Sequence, residues 1–391
     1  MTISNWSHEP LTIAIDTWPL LSQYRNTGMY IYTRNLVLRF REMALKDSVH
    51  VTPLISPARA NDANAFEAST RFQPLKTNLF RIGRVWRYGG ACLSAWINRA
   101  DLLFCPSGTT LPFGSFVPVV ATIHDLTPIV CPTFPKRIAR GLKFAFANTA
   151  RFSRSIITDS LCSKRDLMET FGLPESRVHV IYLGCDEKLF NDVPVLPPLR
   201  TSVLNKFGLH RPYIFHHGTI QPRKNLKRLI EAYRMALSRN PNLELDLVLA
   251  GDLGWQYEDI LAVAQSNHSA GRIIFSGPVA DENLSVLLKS ASLVVIPSLY
   301  EGFCLPLLEA MACSAPTICS NSSCLPEISG GILRYFDPTS VDDLATCIEQ
   351  ALESAELRAE LSSHGRKRAA LFSWQRCAEE TMEVLKSAAR S

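Results

Sequence analysis

Neither a Gly-x-Gly-x-x-Gly fingerprint nor a Gly-x-x-x-x-Gly-Lys-Ser/Thr loop occurs in the 391 residues, so dinucleotide-binding and P-loop readings lose their main support. No Cys-x-x-Cys pair occurs among the eleven cysteines, and eleven is odd, which argues against both a disulfide frame and a zinc knuckle and for free thiols in a reducing compartment. The first ten residues hold His8 and Glu9 and no apolar core, unlike a signal peptide, so the expected location is cytoplasmic. Residues 102–123 carry no charge, but Pro106, Gly108, Pro112, Gly114 and Pro118 interrupt them. Breakers at that density predict strand, loop and strand rather than a membrane span. A net charge of +5 is too small to indicate nucleic-acid binding by itself, although it is unevenly spread. Residues 1–195 carry 22 Lys and Arg against 15 Asp and Glu, and residues 196–391 carry 19 against 21.

What is present is a globular composition, 47% hydrophobic and 20% charged, on a length that suits two domains. Short apolar runs alternate with helix-compatible segments throughout, the pattern of parallel strands covered on both faces by crossover helices. Strands are predicted at 12–16, 49–56, 102–106, 117–124, 155–160 and 178–183, then at 213–218, 245–251, 272–277, 293–298, 317–321 and 332–336. The fold class is therefore α/β, as two doubly wound sheets. Three prolines in residues 193–199 predict an extended connector. The domain border is placed there, giving 1–195 and 196–371. Ligands of such sheets bind beyond the carboxyl ends of the strands, so residues that follow strands are the candidates, in a cleft between the two sheets.

After the strand ending at Gly218 come Arg223, Lys224 and an amphipathic helix. Two cations at a helix start suit an anion, and a diphosphate is the expected occupant; an exposed basic pair would look the same in sequence. After residues 293–298 come Glu301, Gly302, Phe303, Cys304, Leu305, Pro306 and Glu309. Pro306 suits a first helical turn. The neighbours of Glu309 are mostly apolar, so a solvated face for it is hard to find, and paired carboxylates can accept hydrogen bonds from sugar hydroxyls. In the first half His124 and Asp125 follow residues 119–123, placing an imidazole beside a carboxylate at a strand end. Gly28 opens space for a ligand near Tyr30.

Between residues 76 and 154 the basic residues are Lys76, Arg81, Arg84, Arg87, Arg99, Lys136, Arg137, Arg140, Lys143, Arg151 and Arg154, against only Asp101 and Asp125. Phe80, Trp86, Tyr88, Trp96, Phe134, Phe144, Phe146 and Phe152 are interleaved with them. This composition suits a surface that settles on anionic lipid headgroups. RNA would use similar residues, but no nucleic-acid partner is expected.

The array Gly218-x-x-x-x-Arg223-Lys224-Asn225, Gly251-Asp252, Pro297-Ser298-x-x-Glu301-Gly302-Phe303-x-x-Pro306-x-x-Glu309-Ala310-Met311-Ala312 and Ser323-x-Leu325-Pro326-Glu327 resembles the retaining nucleotide-sugar glycosyltransferases of the GT-B fold, family four. Thr27-Gly28-x-Tyr30 and His124-Asp125-Leu126-x-Pro128 resemble its branch that builds mannose- or rhamnose-containing surface polysaccharides. The resemblance implies two Rossmann-like domains facing a central cleft, with the last helix, 372–391, returning to the first and Trp374 packing there. It implies that Arg223 and Lys224 hold the donor diphosphate, Glu309 the ribose, Glu301 the hexose, and Gly218, Gly302 and the backbone of Phe303, Cys304 and Leu305 the sugar and phosphate. His124 would touch the donor sugar near the reacting carbon, Gly28 would lie in a phosphate-closing loop, and Asp125 and Tyr30 would fall on the acceptor side.

No metal or other cofactor is expected, since two cations and a helix start can neutralise a leaving diphosphate. Retention is expected by a front-face route. GDP-mannose is the expected donor, ahead of UDP-glucose and dTDP-rhamnose. The expected acceptor is a lipid-linked saccharide, met peripherally at the inner face of the plasma membrane. An epimerase on the same fold would share the diphosphate grip and convert donor without acceptor. A lipid- or RNA-associated binding protein would leave Arg223, Lys224, Glu301 and Glu309 without a role.

Overall fold

A computed structural model of the chain describes residues 10–20, 27–44, 49–54, 86–112, 114–131, 134–266 and 271–390. It divides into two compact units. The first holds a parallel sheet of β1 (Leu11–Asp16), β2 (Val49–Leu54), β3 (Leu102–Cys105), β4 (Val119–Thr122), β5 (Ser155–Thr158) and β6 (Val178–Val180), in the spatial order β2-β1-β3-β4-β5-β6. The second holds β7 (Tyr213–His217), β8 (Asp246–Ala250), β9 (Ile273–Gly277), β10 (Leu293–Ile296), β11 (Thr317–Ser320) and β12 (Arg334–Phe336), in the order β12-β11-β10-β7-β8-β9. Every residue of β3, β4, β7, β8, β10 and β11 is buried, which is why these strands read in sequence as mainly apolar runs and not as alternating ones. The uncharged stretch 102–123 is β3, a loop and β4, and among the described residues no helix is long and apolar enough to cross a membrane.

The border differs from the expected one. It falls between Gly184 and Cys185, because residues 185–193 are bound to the second unit. Cys185 forms a β-bridge with Ser373, Lys289 Nζ donates to Asn191 Oδ1 at 2.9 Å and to the Val193 carbonyl at 2.9 Å, and Arg366 lies 3.2 Å from Asp192. Pro197 and Pro198 do not extend a connector; they open the helix Pro197–Lys206, since a helix's first turn has no use for their missing N–H. The helix Trp374–Arg390 lies in the first unit, with Trp374 buried near Tyr32, ring centroids 6.4 Å apart, and Arg154 donating to the Ala388 carbonyl at 2.7 Å.

β7 and β8 are each followed by a glycine, Gly218 at φ +137° and Gly251 at φ +144°, and a Cβ on Gly251 would lie 2.2 Å from the Gly218 carbonyl oxygen. Both the backbone angle and the close approach exclude a side chain. Gly251→Ala is therefore expected to lower unfolding free energy by about 1–3 kcal/mol in urea titrations; an unchanged midpoint would show that the two strand ends can part without cost.

Candidate active site

The second sheet reverses its winding between β7 and β10, which are neighbours although β8 and β9 separate them in sequence. Beyond the carboxyl ends of those two strands the segments 218–225 and 297–304 run side by side. This is the position where open parallel sheets collect ligands. Leu299 N donates to the Arg223 carbonyl at 2.9 Å, Arg223 Nη1 to the Tyr300 carbonyl at 2.8 Å, and Asn225 Nδ2 to the carbonyls of Pro297 and Pro338 at 3.0 and 2.8 Å. Arg223 and Lys224 lie in a separate 3-10 turn, Pro222–Lys224, and the helix Leu226–Arg239 begins only after Asn225, whose φ is +60°. They are thus held by this turn, immediately before the helix, in the order the sequence reading gave them.

Glu301 is the centre of the arrangement. Its Oε1 accepts from Lys224 Nζ at 2.6 Å and from Ser298 Oγ at 2.7 Å, its Oε2 accepts from Arg223 Nη1, and its backbone N–H is held by Ser323 Oγ at 2.9 Å. Only 5% of Glu301 is exposed. Burial alone would raise its pKa, but the Arg223 and Lys224 cations and the Lys224 and Ser298 hydrogen bonds outweigh burial and hold it at about 2. Two cations and one carboxylate leave one positive charge in excess, in a place where the dielectric is low. Lys224 has three N–H donors, and Glu301 takes one of them. Gly218 gives this ammonium its room, since a Cβ there would lie 3.3 Å from Lys224 Cε and 3.4 Å from Nζ.

Glu309, in the helix Leu305–Ala312, has a different environment. Its Oε2 is 3.6 Å from His217 Nε2, which itself lies 3.3 Å from the Pro306 carbonyl. Burial, with a contribution from Asp281 and against the pull of Lys224, raises Glu309 to about 8, while burial, His216 and Lys224 lower His217 to about 3. The two are close but form no ion pair at neutral pH. His216, lowered to about 4 chiefly by burial, donates from Nδ1 to the Val295 carbonyl at 2.9 Å. The acceptor-only carboxylate expected at 309 is therefore a carboxyl group, able both to donate and to accept.

Gly302, Phe303 and Cys304 are buried at the tip of this loop, with Phe303 edge-on to Phe372 at 5.8 Å and Cys304 at φ +72° before Leu305. In the first unit Gly28 opens the helix Gly28–Ala44 with open space where a Cβ would lie, and Tyr30 N–H is capped by Thr27 Oγ1 at 3.3 Å. Arg25 and Asn26 of that loop lie outside the described residues. Asp125 Oδ1 accepts from Thr127 N at 2.8 Å, a local capping bond. His124 Nδ1 lies 2.8 Å from Asp159 Oδ2 and its Nε2 3.3 Å from the Pro106 carbonyl. Sequence reasoning did not find Asp159, His216 or His217, and it gave no role to Ser298 and Ser323, which it had only as members of the motif array. Asp159 follows β5 as His124 follows β4, and only the strand order reveals that those two ends are adjacent.

Comparison with known proteins gives this geometry its family. The pattern of "Glycosyl transferases group 1" matches residues 204–368 and that of "Glycosyltransferase Family 4" matches residues 27–189. A glycosyltransferase of Methanocaldococcus jannaschii is 30% identical over 305 residues, 75% of this chain and 76% of that protein. This chain belongs to the family-four glycosyltransferases. O-antigen chain mannosyltransferase B of Escherichia coli is 29% identical to this glycosyltransferase over 380 residues, 93% of this chain and 97% of the relative. The fold is GT-B. The structure of HepE from Anabaena with UDP and glucose superposes with a TM-score of 0.72 at 18% identity, covering 96% of this chain and all of that one.

The raised pKa of Glu309 has a measurable consequence. Between about pH 4.5, where the unfolded carboxyl ionises, and about pH 8 the folded transferase holds a proton that the unfolded chain has released, so stability falls as pH rises through that window. Glu309→Gln removes this dependence. In urea melts the stability of Glu309→Gln relative to wild type is expected to improve by on the order of 1 kcal/mol or more from pH 5 to pH 8; a difference independent of pH would place the raised carboxyl elsewhere.

Proposed function

We propose that this glycosyltransferase moves a mannosyl residue, with retention of configuration, from GDP-mannose to a lipid-linked saccharide during assembly of a surface polysaccharide. The observation that carries the donor part is the net-positive cluster of Arg223, Lys224 and Glu301 at the winding reversal of the second sheet. A departing diphosphate gains most from charges already in place. Glu301 then serves less as a direct grip on the hexose than as the anchor of both cations. Glu309, protonated, offers the ribose one donor and one acceptor, and His124 touches the sugar. The likeness to the O-antigen mannosyltransferase and the His124-Asp125-Leu126-x-Pro128 segment favour mannose. A thermal-shift series with GDP-mannose, UDP-glucose and dTDP-rhamnose tests the donor, and mass spectrometry of a lipid-linked acceptor tests transfer. Conversion of GDP-mannose without acceptor would instead identify an epimerase.

Lys224→Ala and Glu301→Ala are expected to lower kcat about 10²-fold or more with the circular dichroism spectrum unchanged, and turnover should persist in EDTA because protein cations carry the leaving group. Full turnover in Lys224→Ala, or loss in EDTA reversed by a divalent metal, would contradict this account.

We further propose that the enzyme meets its acceptor at an anionic membrane surface. Support comes from the helix Lys136–Phe152, which has no acidic residue and exposes Lys136, Arg137, Arg140, Lys143 and Arg151 beside Ile138, Phe144 and Phe152. Apolar side chains flanked by cations suit lipid headgroups. Among the described residues, part of the basic aromatic stretch is not available to such a surface. Trp86 and Phe146 are buried, Arg87 stacks over Trp18 at 4.9 Å, and Arg154 is tied to Ala388. Lys76, Phe80, Arg81 and Arg84 lie outside the described residues. In vesicle sedimentation, Arg140→Glu with Phe144→Glu should release the protein from phosphatidylglycerol-containing vesicles at low salt; unchanged sedimentation would remove this helix from the interface.

A further inference from the structure

This inference rests on the proposed reading of the chain as a transferase in which His124 touches substrate, and deepens it. β4 and β5 are neighbours in the first sheet, so His124 and Asp159 are brought together just past their ends. The two ring nitrogens face two oxygens: Nδ1 is 2.8 Å from Asp159 Oδ2, and Nε2 is 3.3 Å from the Pro106 carbonyl. A carbonyl only accepts, so Nε2 must carry hydrogen to interact with it. Between Nδ1 and Oδ2 there must also be one proton, because a lone pair set against a carboxylate at that distance is repulsive. Whether that proton lies on the nitrogen, as an imidazolium facing a carboxylate, or on the oxygen, the outcome at Nε2 is the same.

The remaining surroundings leave this pair to set its own charge. Asp159 is 3% exposed, and among the described residues its Oδ1 accepts no hydrogen bond, so of these His124 is what compensates the carboxylate. Asp125 adds negative charge from the same loop, while burial opposes charge on the ring. The Asp159 interactions prevail and the His124 pKa lies above its ordinary value. Tyr32, from the helix Gly28–Ala44, meets the imidazole edge-on at 4.8 Å with its hydroxyl bonded to Thr122 Oγ1 at 2.9 Å, and burial pushes its pKa well up. Cys377, near Asp159 and Tyr32 from the helix Trp374–Arg390, is likewise raised by burial. Neither is charged near neutral pH. The imidazole side chain remains 19% exposed, and a 3.3 Å bond to Pro106 is long, so a substrate oxygen can replace that carbonyl.

We propose that Asp159 is a positioning residue that keeps Nε2 of His124 protonated, so that His124 offers the substrate a hydrogen-bond donor and not a base. The ligand atom it fits is an oxygen acceptor, a sugar hydroxyl or a phosphoryl oxygen. A free hydroxyl of the incoming acceptor that needed deprotonation would find no lone pair at Nε2.

Nitrogen-15 NMR of histidine-labelled enzyme tests this without turnover. Wild type at pH 7 is expected to show Nε2 of His124 protonated, with the pair titrating above the ordinary histidine range. Asp159→Asn should titrate below wild type, and the alkaline limb of its kcat/KM profile should move down by about 1 pH unit or more; Asp159→Glu should restore part of both. An unprotonated Nε2 in wild type overturns the proposal even if Asp159→Asn does not fold, as does an Asp159→Asn enzyme with unchanged spectrum and pH limb. Full turnover in His124→Ala beside the expected wild-type spectrum removes His124 from the substrate, and Asp159 with it. Absence of any nucleotide-sugar thermal shift in wild type is the separate sign that the transferase reading itself fails.

Discussion

One buried carboxylate makes the site of the second unit possible. Arg223 and Lys224 are consecutive in sequence and both turn inward, an arrangement that like charges oppose. Glu301 removes the conflict by accepting from both, and Ser298 and Ser323 hold Glu301 in turn. The same bonds join the segment after β7 to the segment after β10, so the two loops are set by electrostatics as much as by the backbone. A leaving anion reaching such a place meets charge that needs no rearrangement, the condition under which electrostatic stabilisation is largest.

Two glutamates eight positions apart show how far surroundings govern chemistry. Glu301, between two cations, stays ionised down to about pH 2. Glu309, among apolar neighbours beside a neutral imidazole, keeps its proton to about pH 8. Identical side chains thereby become a permanent anion and a neutral donor and acceptor. His124 and Asp159 repeat the theme in the first unit, where a second residue decides which atom of the first carries hydrogen.

Much of the fold was legible because both sheets are parallel and their inner strands are buried, which writes those strands as mainly apolar runs; every predicted strand has its counterpart. The border was misread because prolines 194, 197 and 198 look like a linker, while the ties from Lys289 and Arg366 that draw residues 191–193 into the second unit are long-range. Arg223 and Lys224, and separately Glu301, were legible as residues that follow strands, and the resemblance put them in one site, but their mutual neutralisation was not legible because it depends on β7 lying next to β10. Asp159 was invisible for the same reason, and no local signal marks a carboxylate that acts across strands. Trp86 misled in the other direction. It sits in a basic stretch, yet its indole bonds to buried Asp16 at 3.0 Å.

The helix Trp374–Arg390 belongs to the first unit although the whole second unit precedes it in the chain. Its apolar face, with Trp374, Cys377, Met382 and Leu385, is buried, and it packs on the helix Gly28–Ala44 and on β3, β4 and β5. On the ribosome, where domains generally form from the amino terminus onward, the earlier-made sheet must wait with that side uncovered until residues 374–390 have been made. The later-made unit is drawn mainly from the unbroken stretch Cys185–Ser373, so its strands are all in the nascent chain before the helix that completes the first unit.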